Sequence, residues 1–132
     1  MKIAILSQDS NLYSTRRIVE AGELRGHEMI VVNHAKCDLV IEKKKPQVYY
    51  QGEKLESFDA IIPRIGASIT FYGTSVVRQF EMMKIFSTLN SQALIQSRDK
   101  LCSLQILSRA GLGMPKTAFT NNSKEVSSVI EK

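Results

Sequence analysis

The chain has 132 residues, 43% of them hydrophobic and 23% charged, and carries a formal net charge of +5. That length can bury one core and at most the beginning of a second, and the composition is ordinary for a soluble globular protein. No apolar run approaches the roughly 20 residues that cross a bilayer, and the apolar start Ile3-Ala4-Ile5-Leu6 meets polar Ser7 and Gln8 too soon for a secretory signal.

The expected compartment is the cytoplasm, with no membrane partner. Cys37 and Cys102 lack metal-site spacing and read as thiols with no redox or nucleophilic task. The basic residues are dispersed apart from Lys43-Lys44-Lys45 beside Pro46. No aromatic interleaving or nucleic-acid motif accompanies them, so direct nucleic-acid binding is not expected. That lysine run reads as a solvated loop, or as an attraction for an anionic ligand or acidic polypeptide.

In chain order, Lys2–Leu6 reads as a buried first strand and Ser7–Asn11 as a polar loop. Leu12–Arg25 reads as a helix with Ile18, Ala21 and Leu24 on one face, ended by Gly26. Glu28–Asn33 follows as a second strand. Strand, helix, glycine and strand predict a parallel βαβ unit. Leu39-Val40-Ile41 reads equally as a short helix or a strand. Val48–Tyr50 and Lys54-Leu55 flank Gln51-Gly52-Glu53 as a hairpin, a small β-insertion. Asp59–Pro63 is the next core strand, stopped by Pro63. Arg64–Ile69 is a loop. Thr70 to about Phe86 is a helix facing inward through Tyr72, Val76, Phe80 and Met83, with Arg78, Gln79, Glu81 and Lys84 opposite. Thr88–Asn90 is a candidate edge strand.

Ser97 is the expected cap of a helix over Arg98–Ala110 that turns Leu101, Leu104, Leu107 and Ala110 inward. Gly111–Pro115 is then a turn and Lys116–Phe119 a short strand. Residues 122–132 read as a helix, with Asn122 and Glu125 spaced as a capping box. The chain thus divides into an α/β domain over residues 1–93 and the start of another unit over 94–132.

Three places could carry chemistry. Arg64 lies just past the carboxyl end of a core strand, where open parallel sheets bind ligands. Its guanidinium fork suits carboxylate or phosphate, and Gly66 would let the loop turn tightly or approach a ligand. The alternative for Arg64 is a structural pair with Asp59 or Glu81. Lys100 lies in a helix first turn, where the dipole opposes a cation unless an anion is shared. The alternative is a lysine pointing into water. Gln8–Asn11 lacks glycine, so it is no dinucleotide fingerprint and more plainly caps a helix. His27 and His34 have no companion ligands, so no metal site is expected, and no catalytic residue is assigned.

Taken together, Met1–Ser7 with Leu12-Tyr13-Ser14, Arg25-Gly26-His27, Phe58–Gly66, Ile69–Gly73, Arg78–Met82 and Ser97-Arg98-Asp99-Lys100-Leu101 resemble the RimK-type α-L-glutamate ligases of the ATP-grasp superfamily. The resemblance covers nearly the whole chain and is looser over residues 34–57. It implies a three-layer, mostly parallel α/β pre-ATP-grasp domain with a β-hairpin insertion, followed by the first elements of an ATP-grasp domain. It implies ATP and magnesium as cofactors of a complete ligase. Such a ligase adds glutamate, through an acyl phosphate, to an acidic polypeptide C-terminus of a ribosomal protein, and is expected to be a homo-oligomer. Lys100 maps onto the lysine that touches nucleotide phosphates, and Arg64 with Gly66 onto the loop facing substrate. The family's glycine-rich lid and magnesium carboxylates do not occur in these 132 residues. The expectation is the front part of a longer enzyme, inactive by itself. The rival expectation is a stand-alone flavodoxin-like binding or regulatory module.

Overall fold

The structure, a computed structural model, describes residues 1–122, 124 and 126–130, with the side chains of 129 and 130 left out of account. Two compact units are present, Met1–Arg98 and Asp99–Lys132.

The first unit is built on strand β1 (Lys2–Leu6), whose Ala4, Ile5 and Leu6 are fully buried. Helix α1 (Tyr13–Glu23) leads to β2 (Glu28–Val32). Strand β1 pairs parallel with β2, Ala4 opposite Ile30, and also with a strand far along the chain, Ala60–Pro63, with Ala4 opposite Ile61. A strand flanked on both edges and covered on both faces reads as an unbroken apolar run, which is the pattern of residues 3–6. The end of α1 is set by Gly26, whose φ of +76° is open to glycine at little cost. The His27 amide then reaches back to the Gly22 carbonyl at 3.1 Å, and Gly26 to Glu23 at 2.9 Å.

Leu24, expected inside, is 88% exposed. The helix stops before Leu24 can turn back to the sheet, and Thr15 is its fully buried residue instead.

A second sheet interrupts the parallel one. It consists of β3 (Cys37–Val40), β4 (Gln47–Tyr50) and β5 (Glu53–Lys54), all antiparallel. The segment that read as helix or strand is therefore strand. Gln51 and Gly52, with φ of 54° and 83°, form the two-residue hairpin turn. Strand β6 (Ala60–Pro63) then returns to the main sheet. Helix α2 (Thr70–Met82) follows a 3₁₀ turn at Ala67–Ile69, and β7 (Phe86–Ser87) completes the sheet order β2-β1-β6-β7. The edge strand thus lies slightly before the expected Thr88–Asn90.

Helix α2 ends four residues earlier than expected. Lys84 takes φ of 62°, its amide bonds to Glu81 at 2.9 Å, and the Ile85 amide bonds to Phe80 at 3.1 Å. That is the Schellman arrangement with lysine where glycine is usual. Val76 and Phe80 are buried as expected, with Val77 beside them.

Gln79, expected on the outer side, is buried and donates to the Val40 and Gln47 carbonyls at 2.8 and 3.1 Å. Those carbonyls end the β3–β4 ladder, so the buried amide ties the small sheet to α2. Tyr72 adds a hydroxyl bond to the Cys37 carbonyl.

Helix α3 (Ser91–Arg98) has no counterpart in the expected elements, which held one helix over Arg98–Ala110. Asp99 breaks that helix with extended φ and ψ of −85° and 100°. Its carboxylate accepts from the Cys102 amide at 2.9 Å, making it the cap of α4 (Lys100–Arg109) in place of Ser97. Glu81 serves α3 in the same way. Its two carboxylate oxygens accept from the Ser91 amide and hydroxyl, each at 2.7 Å.

In the second unit no described residue is buried. Leu101, Leu107 and Ala110, expected inside, are exposed within these 132 residues, and Leu104 is half-buried. Residues 116–119 form no strand. Helix α5 covers Val126–Ile130, and the expected Asn122–Glu125 capping box lies outside the described residues. Among the described residues no helix is long and apolar enough to cross a membrane.

Candidate functional site

Strand order locates the site. From β1 the chain moves to β2 on one side, and β6 returns on the other side of β1. The sheet therefore changes direction between β1 and β6, and the loops after those two strands splay apart at their carboxyl ends. Crevices at such switch points are where open α/β sheets take ligands.

The loop after β1 is held inward. The Ser7 amide donates to the Val32 carbonyl at 3.0 Å, and the Ser7 and Thr15 hydroxyls share a buried hydrogen bond of 3.1 Å. The loop after β6 begins with the Arg64 amide donating to the Leu6 carbonyl at 2.9 Å. Between the loops lies a cleft of about 380 Å³. Ser7, Thr15, Arg64, Gly66 and Arg98 supply its polar lining, and Leu12, Leu89 and Leu94 an apolar wall.

Arg64 is exposed, and its guanidinium donates to the Ser14 hydroxyl at 3.0 Å. It pairs with neither suggested carboxylate. Asp59 accepts from the Lys2 amide at 2.7 Å, and Glu81 is occupied by Ser91. Gly66 has φ of −72° and ψ of 154°, extended backbone open to any residue. A Cβ there would meet Gln8 Oε1 at 3.5 Å, an ordinary van der Waals contact.

Arg98, the last residue of α3, reaches the same cleft and donates to the Ile65 carbonyl. Sequence reasoning assigned it no role. Its signal is tertiary, because α3 must dock before the end of that helix meets the β6–α2 loop. Lys100 stands exposed in the first turn of α4, in the second unit.

The electrostatics follow from what is missing. Among the described residues the ion pairs are Lys2–Glu28, Arg17–Glu20 and Lys54–Glu56. None involves Arg64 or Arg98, and no carboxylate lines the cleft. Two arginines therefore line one small cleft to which no carboxylate contributes.

Other titratable groups stand apart from the cleft lining. His34 is fully buried, and neither ring nitrogen reaches hydrogen-bond geometry with a described partner. Burial lowers its pKa, and the nearby Leu6 backbone offsets the shift only in part. The Cys37 thiol is pushed up to about 12, first by burial and then by Asp38, so it stays protonated and unreactive at neutral pH. Among the described residues no cluster of three or more His, Cys, Asp or Glu side chains could hold a metal.

Comparisons with known proteins agree with this architecture. Residues 1–94 match the RimK PreATP-grasp domain. A probable alpha-L-glutamate ligase of Pseudomonas paraeruginosa is 56% identical over 131 residues, which is 99% of this chain and 44% of that protein. The chain thus spans under half the length of that relative. Among solved structures, a RimK domain ATP-grasp protein from Sphaerobacter thermophilus superimposes with a TM-score of 0.71 at 20% identity, over 99% of this chain and 46% of its own. An ATP-grasp ligase complexed with a variant of a minimal precursor, Mg and ADP gives a TM-score of 0.70 at 16% identity, over 96% and 50%. With a parallel four-stranded sheet, an antiparallel insertion and a family match over most of its length, this chain belongs to the RimK pre-ATP-grasp domain family.

Proposed function

We propose that this chain is the pre-ATP-grasp part of a cytoplasmic, homo-oligomeric ATP-dependent carboxylate–amine ligase that adds glutamate to the acidic C-terminus of a polypeptide, a ribosomal protein. The observation that carries this reading is the switch-point cleft with two unpaired arginines. In this reading Arg64 holds an acidic substrate and Gly66 keeps the loop clear for it. Lys100 holds a nucleotide phosphate, since a first-turn cation is favoured there only with an anion to share.

Bound ATP and magnesium would supply the phosphoryl chemistry that turns a carboxylate into an acyl phosphate. Lys100 fits one part of that need. The described residues offer no ligand set for magnesium, so no step is assigned to the metal here. What this chain contributes is positive charge at the substrate carboxylates and at one phosphate.

The test compares this chain with the full-length protein in a coupled assay of ADP release, with glutamate and an acidic acceptor peptide. The chain alone gives no turnover, because developing phosphoryl charge needs metal-ion neutralisation. The full-length protein releases ADP and lengthens the acceptor by mass spectrometry. Lys100→Ala in that protein weakens ATP binding on the order of 10- to 150-fold, the effect of one charge-assisted contact, with its fold unchanged by circular dichroism. Turnover by this chain alone, or a full-length protein without ADP release, overturns the proposal.

A further inference from the structure

A second cleft, of about 380 Å³, lies at the other end of the sheet. Helix α2 starts after the carboxyl end of β6 and runs back, since β7 returns parallel to β6. The end of α2 therefore stands by the amino ends of the strands. Lys84 there, Lys44 and Lys45 of the β3–β4 loop, and Lys54 of β5 line the cleft. It shares no lining residue with the cleft lined by Arg64. The one carboxylate of the lining, Glu56, pairs with Lys54 at 2.9 Å. Lys44, Lys45 and Lys84 are exposed and form no ion pair among the described residues.

Stability gives no reason for this grouping. Like charges gathered in one place repel and work against the compact state. Two of the lysines also sit on left-handed backbone, with φ of 62° at both Lys44 and Lys84. That conformation costs a lysine and is nearly free to a glycine. Nor does the end of α2 need the Lys84 ammonium. The Lys84 and Ile85 amides already satisfy the Glu81 and Phe80 carbonyls at 2.9 and 3.1 Å. Backbone strain retained where charge is concentrated points to a ligand.

The lining narrows the ligand's class. It contains no arginine, so it lacks the planar fork that matches a carboxylate. Lysine acts as a point charge and binds phosphate well in that role. No aromatic ring lines the cleft to stack the bases of a nucleic-acid strand. The volume is that of a small-molecule site. Met82 and Met83 add apolar walls, which focus the field of the charges. Lysines from three separate segments suit several linked phosphates better than one.

We infer that this cleft binds a compact polyphosphate, a ligand with two or more phosphate groups in a chain, through Lys44, Lys45 and Lys84. Its occupant is additional to the anions read at Arg64 and Lys100, and the inference does not depend on the ligase reading.

The experiment is calorimetric titration of this chain with tripolyphosphate, in magnesium-free buffer of low ionic strength. Orthophosphate, a glutamate oligopeptide of matched charge and a short single-stranded RNA are the other arms. Tripolyphosphate binds about 10-fold or more tighter than each of them, the effect of one charge-assisted contact. Lys44→Gly and Lys84→Gly each weaken it by about 10-fold. Both variants withstand urea at least as well as the original chain, because glycine relieves the left-handed backbone. A purely structural effect would instead lower affinity and stability together. Lys45→Gln, where the backbone is not left-handed, weakens binding likewise and decides where a glycine variant unfolds early. No binding of tripolyphosphate, equal binding of orthophosphate, or unchanged affinity in the three lysine variants overturns the inference. Equal or tighter binding of the oligopeptide or the RNA overturns it too, and assigns the surface to an acidic polypeptide or a nucleic acid.

Discussion

At Arg64 the choice between a structural and a substrate-facing arginine turns on exposure and partners. The side chain is exposed and donates a hydrogen bond to Ser14, and among the described residues it forms no ion pair. Arg64→Lys keeps the charge and loses the planar fork. On the ligase reading proposed above, it raises the Michaelis constant of the full-length protein for the acidic substrate by about 10-fold or more while that for ATP stays near its original value. The melting temperature barely moves, since substitutions at such exposed positions stay within about 0.5 kcal/mol. Equal effects on both substrates, or a marked loss of thermal stability, would assign Arg64 to the scaffold.

His34 carries a different residue-scale consequence. It is buried neutral, with a pKa below the value of about 6.5 that it takes in the unfolded chain. Between the two values the unfolded chain binds the extra proton, so stability rises with pH in that window. The contribution is complete above about pH 6.5 and is lost as pH falls below it, by up to about 1.4 kcal/mol per pH unit. Thermal unfolding followed from pH 7.5 to 5.5 shows a falling midpoint. His34→Leu, which also removes two unsatisfied nitrogens, flattens that dependence. An unchanged slope in the variant would place the proton elsewhere.

At the scale of elements, the two helix ends that flank sheet strands are closed by the same motif with different residues. Gly26 closes α1 without strain, but Lys84 closes α2 at φ of 62°. A left-handed non-glycine residue costs roughly 1–2 kcal/mol. Lys84→Gly therefore stabilises the chain by about 1 kcal/mol, and Gly26→Ala destabilises it by a similar amount, both read by urea unfolding. A destabilised Lys84→Gly would show that the lysine side chain contributes more than its backbone costs. Sequence reading located Gly26 because glycine announces a left-handed cap. It ran α2 on to Phe86 because lysine announces nothing of the kind.

Over the whole molecule, every buried residue lies within Met1–Arg98, and none of the described residues beyond it is buried. Hydrophobic burial is the dominant favourable term in folding. A chain ending at Arg98 accordingly keeps one cooperative unfolding transition at an unchanged midpoint. Residues 99–132 as a separate peptide show none by circular dichroism. A lower midpoint in the shortened chain would show that the second unit contributes to the first. Leucines at 101, 104 and 107 follow the spacing of a buried helix face, and within these 132 residues Leu101 and Leu107 are exposed and Leu104 half-buried.

The sequence by itself determined what depends on near neighbours. The apolar run of β1, the glycine after α1, the Gln51-Gly52 turn and the proline that ends β6 follow from backbone preferences and periodicities acting over a few residues. The position of Arg64 past a strand end follows from the same local reading. Only the tertiary structure decided what depends on distant pairs. Gln79 is buried because the Val40 carbonyl, 39 residues away, needs its amide. Glu81 faces Ser91 because a helix that the pattern concealed begins there. Arg98 joins Arg64 in one cleft because its guanidinium meets the Ile65 carbonyl across 33 residues. Charge and hydrogen-bonding capacity are written at each residue, but which groups meet is settled when the chain packs, and the cleft's unbalanced charge exists only after that packing.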